Sequence, residues 1–593
     1  MPALTDTSIQ RGGEWLLESP RAENVFTPER VTEEHRLIAR TAEEFVDNEV
    51  MPALDRLEQK DWDLSRQLLR RCGELGLLGV DVPEAYGGVG LDKVSSLIVS
   101  DRLARAASFH TTMGAQANLT VTPLYLFGTE SQKQKYLPRL LSGELVGAYA
   151  LSESGSGSDA LGAKTRAARQ ADGSFVLNGE KMWITNGGFA DVFIVFAKVD
   201  GEHFTAFIVE RAFGGLTSGK EEHKMGLHGS STTAVILQDV RVPAENLLGE
   251  MGKGHKVAFN VLNFGRFKLG AGCSGGAQYA IDESATYAAE RRQFGQPIAS
   301  FGAIRHKLGE MIARVYAAES LIYRTAGLID ARIDATPHDP ADGSAALAAL
   351  EEYAIEASIA KVAGSETLNF VLDENIQIHG GNGYVKDYPA ERHFRDARVN
   401  RIFEGTNEIN RLLIPGMLAR RAVKGTLPII PAASALQDEL LGPARPADPD
   451  DLPLADERRA IAAFKKTALM VLGLAMRTYG ERLADEQEVV MHCADILIDV
   501  FSAESATLRA QTASQANRPL ASLHVDAARV FVNDAAMRVE SSARQALAAM
   551  VDGDTLRTML AALRRLCKVA PINTVALRRR IADEAVARGG YFF

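Results

Sequence analysis

The chain has 593 residues, and its 66 Lys and Arg against 76 Asp and Glu leave a formal net charge of −10. That balance excludes attraction of the whole surface to nucleic acid or anionic lipid. A content of 46% hydrophobic and 24% charged residues excludes a disordered chain, and at about 100–200 residues per unit the length calls for roughly three to five domains.

Residues 1–30 read as an N-terminal arm. Asp6, Glu14, Glu18 and Glu23 stand there with Arg11 and Arg21, and no apolar block follows the start. Targeting peptides are poor in acids and signal peptides need such a block, so a cytoplasmic chain is expected. Residues 31–148 read as helical. Thr32 before Glu33 and Glu34 is an N-cap candidate, and Leu37, Ile38, Ala42, Phe45 and Val46 form an apolar stripe. Over 149–255 the texture changes to short segments rich in β-branched and aromatic residues, at 174–177, 192–198, 204–209 and 232–237. Turn signals at Asn178-Gly179, Asp200-Gly201 and Gly214-Gly215 separate them, which predicts an all-β unit. Helical periodicity returns over 256–424. Helices, then strands, then helices argue against a doubly wound βαβ fold.

Residues 425–456 carry Pro428, Pro431, Pro443, Pro446, Pro449 and Pro453 and predict a linker, because proline at that density resists helix and sheet. Residues 457–593 predict a second all-helical unit. Its apolar run, 468–476, is bounded by Lys465, Lys466 and Arg477 and is shorter than the roughly 20 residues of a membrane span. Cys72, Cys273, Cys493 and Cys567 have no CxxC spacing, so neither a disulfide framework nor a zinc site is expected.

Several familiar signatures fail on inspection. Gly155 and Gly157 open a GxGxxG that ends on Ala160, with no strand–turn–helix unit around it. Residues 249–256 miss the phosphate-loop pattern because His255 stands at the lysine position. Residues 272–276 match GxSxG, but they sit inside a helical pattern, where small residues let two helices pack closely. No HExxH pair exists, so no metal centre is expected.

Three stretches carry chemistry. YALSESGSGSDA (149–160) offers hydroxyls and backbone N–H groups to a polar ligand, or is a flexible connection. MWITNGG (182–188) puts a tryptophan at a strand end, as a core residue or as a flat face for a planar ring. In NRIFEGTNEINR (400–411) Glu404 is flanked by Ile402, Phe403 and Gly405. An apolar setting raises a carboxyl pKa and makes it a base near neutrality, whereas a loop glutamate with ordinary hydration does neither. Gly405 permits close backbone approach.

Taken together, in this order and at these separations, the stretches resemble the acyl-CoA dehydrogenase family. The likeness runs from about residue 27 to 422 and includes LGLLGVDVPEAYGGVGLD (75–92), FGTESQKQKYLPRLLSGE (127–144), LNGEKMWITNGG (177–188), AERRQFGQPI (289–298), QIHGGNGY (377–384) and RIFEGTNEINR (401–411). It implies a mainly α fold with a central β-domain, plus an extra C-terminal all-helical domain, and FAD lying between the β-domain and the helical bundle.

By that resemblance Glu404 is the catalytic base. Branches that carry the base earlier do so just before the arginine that is Arg266 here, and this chain has Gly265 there. Tyr149, Leu151, Ser152, Gly157 and Ser158 match the loop lining the flavin, and Trp183, Ile184 and Thr185 the segment against its ring. Arg291 and Phe294, with Gln377, Ile378, Gly380 and Gly381, match the positions holding the adenosine and pyrophosphate end across a dimer. Thr406 and Glu408 match flavin contacts after the base, and Ser158, Arg266 and Gly405 fall toward the substrate. Ser154 stands where the family usually has proline, which predicts a less rigid flavin loop.

The implied reaction is α,β-dehydrogenation of a fatty acyl-CoA to a trans-2-enoyl-CoA in fatty acid β-oxidation, with electrons passed to an electron-transfer flavoprotein. Gly265-Arg266 and the extension after residue 456 resemble the very-long-chain branch. Gly114 and Ala115 permit a deep acyl channel, Thr120 and Pro123 nearby blur that reading, and long-chain preference rests mainly on the branch resemblance. An acyl-CoA oxidase and a flavoprotein with a scaffolding role are the alternatives. A homodimer is expected, with no nucleic-acid partner and at most peripheral membrane contact.

Overall fold

The computed structural model describes residues 9–442 and 452–593. The N-terminal helices are α1 (Glu33–Phe45), α2 (Leu54–Glu58), α3 (Trp62–Glu74), α4 (Lys93–Leu103), α5 (Ala107–Gly114), α6 (Thr122–Phe127) and α7 (Glu130–Leu141). Thr32 caps α1 as expected: its hydroxyl accepts the His35 N–H at 3.2 Å and the His35 ring accepts the Thr32 N–H at 3.0 Å. This is a capping box with histidine in the place of Glu or Gln. Ile38, Ala42, Phe45 and Val46 are buried, but Leu37 is 58% exposed and lies off that face. Between α5 and α6 the chain forms a π-helical turn at Ala115–Val121, a form that favours functional positions.

The strands are β1 (Gly147–Ala150), β2 (Arg166–Arg169), β3 (Phe175–Thr185), β4 (Val192–Val199), β5 (His203–Glu210), β6 (Leu216–Glu221), β7 (Thr232–Val242) and β8 (Leu247–Leu248). Their sheet runs β6-β7-β3-β2-β4-β5-β8, with β1 parallel to β4. β4 is buried along nearly its whole length, which is why it reads as an unbroken apolar run rather than an alternating one. β2, with the sequence RAAR, and the edge strand β6 carry no such signal.

The second helical part holds α8 (Gly254–Glu290), α9 (Gly302–Asp334), α10 (Ser344–Glu352), α11 (Ala354–His379), α12 (Ala390–Ala397) and α13 (Asn407–Val423), with a hairpin of β9 (Arg292–Gln293) and β10 (Gln296–Pro297) after α8. The GxSxG stretch lies within α8 and serves packing. A Cβ on Gly275 would stand 2.1 Å from the Asp101 carbonyl of α4, and one on Gly364 would stand 2.9 Å from the Gly270 carbonyl. Backbones approach there because no side chain intervenes.

The region read as a linker contains a helix, α14 (Ile429–Leu441). Pro428 and Pro431 fall at its start, where the missing N–H groups have no intrahelical acceptor to lose. Residues 443–451 of the expected linker lie outside the described residues. The extension then forms α15 (Ala455–Tyr479), α16 (Gln487–Gln515), α17 (Ala521–Met550), α18 (Gly553–Leu566) and α19 (Thr574–Arg588). Most of the 468–476 run is buried in α15, and no helix among the described residues is long and apolar enough to cross a membrane.

Buried ion pairs fasten the extension. Arg509 donates to Glu29 at 2.7 Å and to Glu319 at 2.6 Å, and Glu504 takes both Arg324 and Lys465. The N-terminal arm bridges the two helical parts. Gly12 and Gly13 donate to Glu352 and Glu356 of the bundle, while the buried Trp15 ring packs 4.9 Å from Phe501 of α16.

Candidate active site

Glu404 precedes α13 in an unusual turn. Its φ is 57° and that of Gly405 is 81°, and a left-handed glutamate costs on the order of 1 kcal/mol. Side chains from both flanks hold the turn. The Asn410 amide donates to the Gly405 and Thr406 carbonyls at 2.8 and 3.0 Å, and the Thr406 hydroxyl caps α13 by accepting the Ile409 N–H. Arg266 Nε donates to the Glu404 carbonyl at 3.2 Å.

The Glu404 carboxylate rests on Gly265. A Cβ at that glycine would lie 2.6 Å from Oε2, so the glycine provides the space that the carboxylate fills. Oε2 is buried with no hydrogen-bond partner. Burial pushes the Glu404 carboxyl up to about 7, against the opposing pull of Arg266 and Lys361. Burial also brings Arg266 down to about 10 and Lys361 to about 8. The buried Tyr149 hydroxyl has no partner either, and burial with the nearby Glu404 charge raises its pKa. The result is a carboxylate half-ionised near neutrality with a free lone pair, which is what proton abstraction requires.

The serine loop is pinned from below by Glu153. Its carboxylate accepts the N–H groups of Lys164 and Thr165, the Thr165 hydroxyl and the Lys181 ammonium. Burial alone would raise its pKa, yet the Lys181 and Thr165 bonds hold it at about 2. Glu153 and Ser156 exchange backbone hydrogen bonds across Ser154-Gly155, and Met182 N–H donates to the Ser152 carbonyl. The loop is thus fixed on both sides of Ser154 without the usual proline. Leu151 is buried and Ser152 half-buried, while Gly157 and Ser158 are exposed; a Cβ on Gly155 or Gly157 would meet nothing within 4 Å.

Beside the loop, β3 slips register against β7 between Lys181 and Ile184. Trp183 takes a φ of 58° and turns outward, 59% exposed, while Ile184 is buried. Thr185 pairs with Thr232 on β7. Asn186 donates to the Thr112 and Gly147 carbonyls, leaving its Oδ1, like the Thr233 hydroxyl opposite Ile184, buried without a partner. Unsatisfied buried polar atoms are costly. The exposed Trp183 indole beside them offers a flat face to a planar ring.

The remaining candidates gather elsewhere. Arg291 is exposed at the end of α8, and Phe294 in the following hairpin is 92% exposed. The end of α11 meets them: Tyr287 stacks on His379 at 4.1 Å, and Asn382 donates to the Tyr287 hydroxyl. Gln377, Gly380 and Gly381 are exposed, with open space at both glycines. Ile378 is buried in the core, which leaves its side chain unavailable to a ligand. At 1.5 Å per residue this cluster stands about 37 Å along α8 from Arg266, so one chain does not join it to its own Glu404. Glu408 is exposed on α13.

Sequence reasoning missed Glu153, Lys181, Lys361 and Asn410. A buried Lys181–Glu153 pair has no local signature, since the partners meet only when the sheet forms. Asn410 lay within a quoted motif, and its spacing from Gly405 is the available clue to a side chain reaching back to the turn.

Family profiles described as the N-terminal, middle and C-terminal domains of acyl-CoA dehydrogenase match residues 32–144, 148–240 and 252–418. A further acyl-CoA dehydrogenase C-terminal domain profile matches 463–565. A probable acyl-CoA dehydrogenase of Bacillus subtilis is 48% identical over 577 residues, covering 97% of each chain. The human mitochondrial very long-chain specific acyl-CoA dehydrogenase is 41% identical over 392 residues, 64% of this chain and 56% of that one. The crystal structure of an acyl-CoA dehydrogenase complexed with FAD from Bacillus anthracis superposes with a TM-score of 0.96 at 49% identity, over 98% of this chain and all of the other.

Proposed function

The chain belongs to the acyl-CoA dehydrogenase family and is a FAD-dependent enzyme, and we propose that it desaturates long-chain fatty acyl-CoA thioesters with Glu404 as the base. The observation that carries this reading is the partnerless Glu404 Oε2, seated on Gly265 with its pKa near 7. Oε2 takes a proton from the carbon beside the thioester. The Glu404 backbone N–H donates to the thioester carbonyl and offsets the enolate-like charge that develops there. Arg266 keeps that segment in place through the Glu404 carbonyl. Bound FAD would supply the acceptor for the hydride that the β-carbon loses as the trans-2-enoyl-CoA forms.

Tyr149, Ser152, Gly157, Ser158, Trp183, Thr185, Thr406 and Glu408 would hold the flavin end, the buried Leu151 and Ile184 contributing backbone alone, with Ser158, Arg266 and Gly405 toward the thioester. Arg291, Phe294, Gln377, Gly380 and Gly381 would serve the adenosine end of a second copy, with Ile378 contributing backbone alone. Their separation from Glu404 and the outward Phe294 and Tyr384 rings, 92% and 86% exposed, support a homodimer. Electrons would pass to a protein acceptor of the electron-transfer flavoprotein type, in fatty acid β-oxidation in the cytoplasm; a high hydrogen peroxide yield with little dye reduction would instead mark an acyl-CoA oxidase.

The long-chain reading draws on the very long-chain relative and on Gly114, where a Cβ would meet only Asn118 at 3.6 Å. Thr120, which blurred that reading in sequence, directs its hydroxyl to the Ala115 carbonyl and packs its side chain against Gly147. Glu404→Gln tests the whole assignment. The variant should retain FAD and lose anaerobic bleaching by an acyl-CoA about 10²- to 10⁴-fold; bleaching at the parent rate would remove Glu404 from the reaction.

A further inference from the structure

The extension reaches the candidate base through a chain of charged and polar contacts. Asn407, the first residue of α13, is completely buried. Its Oδ1 accepts the Lys361 ammonium at 2.6 Å and its Nδ2 donates to Ser365 and to Glu366 Oε1, the latter at 3.2 Å. Arg411, one turn further along α13, grips both Glu366 oxygens at 2.7 and 2.8 Å and points Nε at Asp495 of α16, also at 2.7 Å. A guanidinium is planar, so a carboxylate on each edge fixes its plane. Asp495 therefore orients Arg411, Arg411 orients Glu366, and Glu366 helps seat the residue that starts α13 beside Glu404.

We propose that Asp495, contributed by the C-terminal extension, is a positioning residue for the Glu404 turn, acting through Arg411, Glu366 and Asn407. The proposal rests on the reading of Glu404 as the base. Docking of the extension does not depend on this contact. Asp495 keeps a side-chain exposure of 38%, and exposed pairs contribute little to stability, whereas the buried Arg509 and Glu504 networks fasten the same helix elsewhere. What the contact adds is direction at one end of α13.

The test compares parent, Asp495→Ala and Asp495→Glu holoenzymes, with Arg538→Lys as a control at the neighbouring Asp499 pair. Two quantities are read: hydrogen exchange at the Ile409 and Asn410 amides, and the saturating rate of flavin bleaching by an acyl-CoA together with its apparent Kd. Asp495→Ala should exchange faster at both amides and bleach about three- to tenfold more slowly, with Kd and FAD content unchanged. Asp495→Glu should recover most of the rate, and Arg538→Lys should match the parent throughout. Parent-like exchange in Asp495→Ala overturns the proposal, as does a parent-like rate. If acyl-CoA fails to bleach the parent, or Glu404→Gln bleaches at the parent rate, the reading of Glu404 fails, and the exchange data still decide whether Asp495 holds the turn.

Discussion

At the scale of single residues, Glu404 and Gly265 form a matched pair. The glycine is the absence that makes room for the carboxylate, and burial in that space makes the carboxylate basic. The sequence showed the glutamate, its apolar neighbours and the glycine before Arg266, because each is a local fact; their contact joins α8 to the start of α13 and needs the fold. A consequence follows for Gly265→Ala. The added methyl lies 2.6 Å from Oε2 and must displace the carboxylate, so the bleaching rate should fall about 10²-fold. Helix content should hold, since alanine favours a helix over glycine by about 1 kcal/mol. The pH profile of the parent supplies the reference. Glu404 accepts a proton only when ionised, so the rate climbs as pH rises through about 7 and declines below it. A Gly265→Ala enzyme with the parent rate and midpoint would show that the carboxylate does not occupy this space.

At the scale of elements, the serine loop and the β3 bulge act as one unit. Glu153 ties the loop to Lys164, Thr165 and Lys181, and Met182 ties it to the strand that turns Trp183 outward. By family resemblance this loop is expected at the flavin, but its anchor was unreadable, since Glu153 in sequence is one more polar residue in a polar stretch. Glu153→Gln keeps the shape and presents amide hydrogens to groups that themselves donate. FAD affinity should drop about tenfold or more, read by titrating apoprotein with FAD and following flavin fluorescence. Because the Glu153 pKa is lowered to about 2, its contribution to stability is present above the ordinary value near 4.5 and is lost as pH falls toward 2. The helix α14 illustrates the opposite error. Its prolines signalled a connection, yet proline in a first turn is compatible with helix, and position within the element mattered more than composition.

At the scale of the whole molecule, the extension, the arm and the bundle share buried charge. Arg509 is fully buried between Glu29 of the arm and Glu319 of α9. Arg509→Met leaves two carboxylates buried without a counter-ion and should cost about 3–5 kcal/mol. Urea unfolding would register this as a lower midpoint or a separate early transition of the extension. An unchanged midpoint would mean that the arm and extension are held by apolar packing alone. The order helix, strand, helix and extra helical unit was determined by the sequence itself, because periodicity and turn chemistry are local. So were the family motifs and the glutamate among them. Only the tertiary structure decided what occupies the space at Gly265, what pins the serine loop, and that an aspartate from the extension grips the helix behind Glu404. Those depend on groups remote in sequence being brought to hydrogen-bonding distance, which no local pattern encodes.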